Sequence, residues 1–568
     1  MYDSTNNVFV LSPLMQKLEK ERKAAVELQE HKHADWDDNY LLYRNKVKTN
    51  RLTQRQAVNI PLMKETVKTL LSKIDESPNV EWKERGGDMQ KEIYFQEIWN
   101  QHYDKANLEV IDILDKKNVL LAGFGVKKLN LTDEGIECSA LDTYDTLVDP
   151  LMNSWDVDSA RFFIHRNIFR SVRDILADDR YSKKGKQELK MWANSPEGIT
   201  QSTTNKEEWE DKMNRMEAMG ISNSEFGYFA GGDRLVNLTE HYTKEWDSDK
   251  KEFVKRVVTY AENSIELSNM TLEEAIGVDF WPFIRWSEDP ETNDVYPDSI
   301  ADLVRTPNKV LNVWFSQLVE NRTLSNFQMH WFTPSQNYQP QTYTPGPGVM
   351  IPAPPGEDIN KVIKPVEVKG LDDTLLAIQQ VINIVERGTG ATAIEKGQGE
   401  GGQQTLGEVQ ILVGKATERT IGMAKFYRIA WKEYAEKWCA MLTNNAPKII
   451  KLYRANRKGE TFEKVLLQSD WKSKIGYEPI VRSTSEQEAE SVKSIQKFMF
   501  ILQQFPNNVA LRKIAQKRML ESVDLTPEEL REVEEGEKQQ VESMNMAQDI
   551  QQEQPQMAVE ELAPLVNV

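Results

Sequence analysis

The chain has 568 residues, 39% of them hydrophobic and 28% charged, with a formal net charge of −18. That balance is typical of a soluble globular protein long enough for several domains, and no apolar run approaches the roughly 20 residues that would span a bilayer. Cys138 and Cys439 are the only cysteines, which excludes a disulfide framework, and the acidic excess argues against tight DNA binding by the whole chain, since that affinity comes largely from neutralising phosphates.

The opening MYDSTNNVFVLSPLMQ has no basic stretch ahead of an apolar core, so no signal peptide is expected. Residues 12–34 predict a helix capped by Ser12, with Leu14, Leu18, Ala25 and Leu28 near helical spacing, and 36–43 continue an amphipathic pattern. A second helix is expected over 61–75, where Pro61 suits a first turn, and the pattern is again helical over 87–118. Residues 119–150 turn to short apolar runs broken by turns and read as β-hairpin material. Residues 159–220 read as helical and highly charged, and 234–268 as strands, with LVNLTEHYTKEW and KEFVKRVVTYAENSIEL as a pair.

A long helix is predicted over 297–325, with Ile300, Leu303, Val304, Leu311, Phe315 and Leu318 as its apolar face and Pro307 either kinking it or marking its true start. The texture then changes. Between Asn326 and Gly356 there is no Asp, Glu, Lys or Arg, but there are seven prolines and several aromatics. Such a segment is not helical, and burial against other chains in extended or β structure is its expected fate. Helical periodicity returns over 371–387, where Leu375, Ile378, Ile382 and Val385 share a face. The stretch GTGATAIEKGQGEGGQQTLGE (388–408) follows, and then a very long helix over 405–444, which Thr405 and Glu408 would open with a capping box. Strands are expected over 448–484 and helices over 486–540, with Pro506 and Pro527 as breaks, before a tail rich in Gln, Glu and Met.

Chemistry-bearing patterns are weak. Gly397, Gly399 and Gly402 spell GxGxxG, but a dinucleotide fingerprint follows a strand and opens a helix, whereas a helix precedes this one. His31 and His33 lie two apart, on different sides of a helix, and read as a solvated helix end. The acid pairs Asp37–Asp38 and Asp372–Asp373 could hold a divalent cation but read as helix-start carboxylates that offset the macrodipole. The run YSKKGKQELK (181–190) could meet a phosphate backbone and reads as a solvated helix flank. Trp281, Trp286, Trp314 and Trp331 surround the uncharged segment, as subunit packing there would require. No catalytic, cofactor-binding or metal-binding residue is assigned, and the chain reads as a non-enzyme.

The order of elements is the specific signal: long helix, uncharged excursion, helix, glycine-rich loop, very long helix. In this order, and in TYDTLVDPLMNSWDVDSARFFIHRNIFRS (143–171), FWPFIRWSEDPETNDVYPDSIADLVRTPNKVLNVWFSQLVENR (280–322) and YRNKVKTNRLTQRQAVNIPLMKETVKTLL (43–71), the chain resembles the podovirus-type portal protein, or head-to-tail connector, of tailed double-stranded DNA bacteriophages. The resemblance implies an α+β, mainly helical portal fold of long helices plus small β elements. On it, residues 1–296 are the first part of the wing, 297–325 the first stem helix, 326–370 the clip and 371–387 the second stem helix. Residues 388–403 are the tunnel loop, 404–484 the rest of the wing, 485–545 the crown and 546–568 a flexible tail. Thr389, Thr392, Glu395, Lys396, Gln398, Glu400 and Gln403 would face the DNA channel, and Trp331, Phe332, Tyr338, Tyr343, Met350 and Ile351 would form the clip and subunit interface.

The implied assembly is a homo-oligomeric ring, twelve subunits in the family, at one capsid vertex of the virion and put together in the host cytoplasm. Its implied partners are the major capsid protein, the terminase large subunit, a tail adaptor or head completion protein, and double-stranded DNA passing non-specifically through the channel; no membrane and no cofactor are expected. An acidic surface fits that passage, because a channel studded with Lys and Arg would hold the backbone through counterion release. Two other readings stay open at this point: a different ring-forming virion protein (an adaptor or internal head protein), and a nucleotide-dependent enzyme using the 397–402 glycines.

Overall fold

The computed structural model of the chain describes residues 2–3, 8–9, 12–46, 57–74, 78–132, 135–153, 156–193, 235–247, 251–262, 264–292, 294–326, 330–332, 363–365, 372–390, 406–455 and 461–482. The chain divides into two units, Met1–Val481 and Arg482–Val568, and only Arg482 of the second is described. The helices expected over 486–540, the crown and the tail therefore lie outside the described residues.

Two short strands, β1 (Tyr2–Asp3) and β2 (Val8–Phe9), pair with each other ahead of α1 (Pro13–Tyr43). Ser12 caps α1 as expected, its hydroxyl accepting the Met15 N–H at 3.3 Å. The helix then runs unbroken for 31 residues, so Asp37–Asp38 and His33 are not at a helix end. Asp37 accepts the Tyr144 hydroxyl, Asp38 pairs with Lys309, and the His33 ring packs 5.2 Å from Tyr144 and 5.8 Å from Trp36. The histidines expected at a helix end and the acids expected at a helix start instead lie inside one long helix, which has no capping signal in its middle to betray its length, although His31 is exposed as a solvated position would be.

After α2 (Leu62–Ile74) and β3 (Asn79–Glu84) come α3 (Met89–Lys105) and α4 (Leu108–Ala122). The helical pattern expected over 87–118 is present as two helices, divided at Asn107, whose φ of 49° no continuing helix accommodates. Helix α4 takes in residues 119–122, which read as hairpin, and stops at Gly123. That glycine has φ +88°, and a Cβ there would stand 2.0 Å from the Pro297 carbonyl oxygen, so both conformation and space demand glycine.

The hairpin proper is β4 (Gly125–Thr132) with β5 (Gly135–Ala140), joined on its other edge by β11 (Phe283–Trp286) into a three-stranded antiparallel sheet. A second sheet has five antiparallel strands in the order β10-β9-β8-β7-β6. These are β6 (Thr146–Val148), β7 (Phe162–Ser171), β8 (Leu235–Asp247), β9 (Glu252–Ala261) and β10 (Ile265–Thr271). The expected β8–β9 pairing is present, from Leu238↔Ala261 to Asp247↔Glu252. Strand β7 corrects the reading of 159–220 as helical: only α5 (Val172–Ala177) and α6 (Lys183–Ala193) are helices there, and 194–234 lie outside the described residues. Phe162, Phe163, Ile164 and Arg166 are all buried, so β7 is covered on both faces and lacks the alternation that marks a half-exposed strand.

A short α7 (Leu272–Ile276) leads to β11, and α8 (Ile300–Asn326) follows. Pro307 lies inside α8 and does not mark its start. The two ends of the excursion between the long helices meet, β12 (His330–Phe332) pairing antiparallel with β13 (Ile363–Pro365). Then come α9 (Asp372–Thr389), α10 (Leu406–Asn444), the hairpin β14 (Ile449–Ala455) and β15 (Thr461–Leu467), α11 (Gln468–Trp471) and β16 (Tyr477–Arg482), which pairs with β3. The architecture is α+β.

The largest core gathers α2, α3, α4, α8, α9, α10 and β14–β16. Its centre is aromatic. Trp438 of α10 packs edge-on to Trp99 at 4.9 Å and to Phe95 at 5.6 Å, and Phe95 stacks on Tyr477 at 3.8 Å. Each such pair adds roughly 0.5–1.5 kcal/mol beyond its area burial. Trp281 and Trp286 are fully buried within this same chain, which corrects their expected role in subunit packing; Trp314 is partly buried against the main core. Among the described residues no helix is long and apolar enough to cross a membrane.

Candidate functional site

Helices α8, α9 and α10 flank the two segments that sequence reasoning marked as functional, so what holds these helices decides what the segments can do. Helix α8 is fixed at its first turn by carboxylates. Glu288 Oε1 accepts the Ile300 N–H at 2.7 Å, and Asp302 Oδ2 accepts the Ser299 N–H and hydroxyl, each at 2.8 Å. Burial, with Asp289 and Asp302 nearby adding to it against the Ile300 hydrogen bond, pushes the Glu288 carboxyl up to about 8. Arg305 bridges Asp302 at 2.9 Å and Asp35 of α1 at 2.8 Å, and Lys309 reaches Asp38, so α1 and α8 lie side by side through paired charges.

One row of α8 carries Asn308, Asn312 and Ser316, four residues apart and buried. They grip the extended chain ahead of α2. Ser316 Oγ accepts the Val58 N–H at 3.0 Å, Asn312 Oδ1 the Ile60 N–H at 2.8 Å, and Asn308 Oδ1 the Met63 N–H at 2.9 Å. Asn308 Nδ2 also donates to the Ile60 carbonyl at 3.1 Å. Burying two amides and a hydroxyl among apolar residues is tolerable because the strap's backbone N–H groups take up both amide oxygens and the hydroxyl oxygen. The apolar periodicity expected for α8 holds at Ile300, Val304 and Leu311, while Leu303 points outward and is exposed.

Helix α9 buries Ile378 and Val385 in the main core and leaves Leu375, Leu376 and Ile384 exposed, so Leu375 is not on the face assigned to it. Its end is explicit. The Thr389 hydroxyl, buried, donates to the Val385 carbonyl at 2.9 Å, and Gly390, at φ +76°, donates its N–H to the Glu386 carbonyl at 2.9 Å. Gly390 is thus a left-handed cap that stops the helix, the conformation only glycine adopts without strain.

The described side chains of α10 are anchored by a buried charge network. Asp112 on α4 accepts Lys116 at 2.7 Å, Lys127 of β4 at 2.9 Å, the Trp431 indole N–H at 3.0 Å and the Tyr427 hydroxyl. Asp115 accepts Lys127 at 3.0 Å and the Trp286 indole N–H at 2.7 Å. Burial works against the Asp112 carboxylate, yet Lys127 and Lys116 hold it below the usual range, whereas burial dominates at Asp115 and raises it. Lys127 is raised, Asp112 and Asp115 outweighing its burial, and Tyr427 is driven well above its usual value by burial and by Asp112. Two carboxylates and two ammonium groups balance one another, and no side chain of the group opens to solvent. Such a cluster fixes α10 on α4 and β4, since breaking one partner leaves an uncompensated buried charge. A second anchor is Lys437, which donates to the Phe283 carbonyl at 2.8 Å and pairs with Asp158 at 3.2 Å and Glu433 at 2.8 Å.

Of the channel residues expected from sequence, only Thr389 is described, at the last position of α9. Thr392, Glu395, Lys396, Gln398, Glu400 and Gln403 lie outside the described residues, as does the Thr405 cap expected for α10. Trp331 and Phe332 are in β12, opposite Lys364 and Ile363, and Tyr338, Tyr343, Met350 and Ile351 lie outside the described residues. Sequence reasoning missed the Asp112–Lys127 network. Its only signal was the placing of Asp112, Asp115 and Lys127 in the otherwise apolar LEVIDILDKKNVLLAGFGVKKL. Among the described residues no group of three His, Cys, Asp or Glu side chains is placed to hold a metal ion.

A family model described as Phage SU10 portal protein matches residues 34–560, nearly the whole chain. No curated protein matches the chain.

Proposed function

The chain belongs to the phage portal protein family, a structural family, and on that premise we propose that it forms the ring-shaped channel at one capsid vertex through which the genome is packaged, retained and ejected. In this reading α8 and α9 are the stem helices, the excursion between them is the clip, and 388–403 is the tunnel loop. The wing comprises 1–296 and 404–484, and the crown 485–545. Twelve copies close the ring; the clip docks the terminase large subunit and later the tail adaptor, the major capsid protein surrounds the ring, and DNA passes without base readout.

The observation that carries the reading is the family match over 34–560. It is supported by the succession α8, β12, β13, α9, Gly390 cap, α10, which keeps a helix and not a strand ahead of the GxGxxG and so takes away the support for a dinucleotide site. Closed cyclic symmetry is what lets head-to-tail contacts between identical copies terminate in a ring. Electron micrographs of the purified full-length protein test it. Rings with a central bore and a single rotational symmetry are expected; a protein that stays monomeric at every concentration and salt overturns it.

A further inference from the structure

One corner of the molecule departs from the acidic character of the rest. From Arg44 to Lys64 the sequence RNKVKTNRLTQRQAVNIPLMK has six basic residues and no acidic one, in a chain of net charge −18. The structure ties both ends of this run together: Asn45 Nδ2 donates to the Asn59 carbonyl and Asn59 Nδ2 to the Asn45 carbonyl, each at 3.3 Å. Arg44 is the C-cap residue of α1, while Lys64 and Lys68 are exposed one turn apart on α2. Lys117 of α4 faces the same corner, its ammonium 4.7 Å from the Tyr43 ring centre. Burial first, and then the charges of Arg44 and Lys64, lower the Lys117 pKa. The acid nearest in sequence is Glu65, also exposed on α2.

We propose that this corner is a contact for the phosphate backbone of double-stranded DNA, with Arg44, Lys64, Lys68 and Lys117 as the cations and no readout of bases. The proposal rests on the portal reading, which brings DNA to the protein. A corner that gathers cations and has no exposed large apolar side chain suits an anion that several of them can contact at once, and a phosphodiester chain presents such charges in series. An acidic protein surface would offer the same charge, but stable protein interfaces have an apolar centre. No large hydrophobic side chain among the described residues of 44–74 is exposed.

The test is binding of the full-length protein to a 30-base-pair duplex of arbitrary sequence across a salt titration, with Lys64→Gln/Lys117→Gln compared to the unaltered chain. Each phosphate contact contributes about 0.9 to the slope of log affinity against log salt, so the double variant should lower the slope by roughly 2 and weaken binding about tenfold or more near 0.1 M salt. Lys64→Gln/Lys68→Gln, both on the solvent side of α2, should show a comparable loss and guards against a folding defect at the half-buried Lys117. Unbound duplex, or an unchanged slope in both variants, overturns the proposal. So does binding of a polyglutamate peptide that is stronger than that of the duplex and is lost in the same variants. Rings are scored by electron microscopy in parallel: rings that ignore DNA refute only this contact, whereas absence of rings in the unaltered protein refutes the portal reading itself.

Discussion

Lys127 and Asp112 meet at 2.9 Å with side chains only 2% and 5% exposed, and this pair joins β4 to α4. Tyr427 and Trp431 of α10 bond the same carboxylate. Lys127→Met is therefore expected to leave Asp112 and Asp115 short of countercharge and to destabilise the protein by about 3–5 kcal/mol. Chemical denaturation checks the size. Loss of tryptophan packing around Trp431 before global unfolding, seen in near-ultraviolet circular dichroism, would show that α10 is what comes loose.

Glu288 gives a pH signature whose sign follows from its environment. Its carboxyl is pushed up to about 8 from the ordinary 4.5, so the folded state retains the proton over a range where the unfolded chain has released it. Stability from this group is complete below about 4.5, declines as pH rises between the two values, and is flat above about 8. Glu288→Gln keeps an acceptor for the Ile300 N–H and removes the ionisation. The variant should gain stability relative to the unaltered chain between pH 5 and pH 8.5, on the order of a few kcal/mol. Thermal midpoints of both proteins at the two ends of that range decide it; parallel curves would mean that Glu288 ionises as a free carboxylate does.

Asn312 supports the middle of the strap. Asn312→Leu removes the acceptor of the Ile60 N–H at a buried position, for an expected cost of about 1–3 kcal/mol. The distinguishing result is local: amide exchange at Ile60 and Val58 should accelerate more than at Leu70 in the core of α2.

The glycine-rich segment is bounded by the Gly390 cap on one side and α10 on the other. Deleting 391–402 is expected to leave ring assembly intact and to impair DNA packaging or retention. Micrographs of the purified variant score the first and particles filled in a packaging assay score the second. Failure to form rings would make the segment a structural element.

Much of this fold was legible from sequence where one physical signal dominated a long window. Helix α8 was placed within three residues at its start, α10 within one, and the two strands β8 and β9 were read as a pair. Misreadings occurred where the signal depends on what a neighbour does. Strand β7 is buried on both faces and so carries no period of two; Asn107 ends one helix and begins another through a φ that composition does not reveal. An Asp112–Lys116 spacing of four residues looks the same in sequence whether it is a solvated pair or the floor of a core, and Trp281 and Trp286 look the same whether a subunit or their own chain covers them. Of the candidate site, the helix order was legible while the anchoring of each helix was not, because much of the anchoring is made by residues 154 to 319 positions apart in sequence.

The ladder of Asn308, Asn312 and Ser316 also sets a limit on its own length. Four helical residues advance about 6.0 Å, whereas two residues of extended chain advance about 6.6 Å, so a strap running along a helix behaves as a vernier that drifts by more than half an ångström per rung. Two rungs, Val58 on Ser316 and Ile60 on Asn312, stay in phase. The third is met by a longer skip to Met63, with Asn308 reaching both that N–H and the Ile60 carbonyl, and it is there that the chain curls into α2. A geometric mismatch between two regular structures thus decides where one must stop and the next begin.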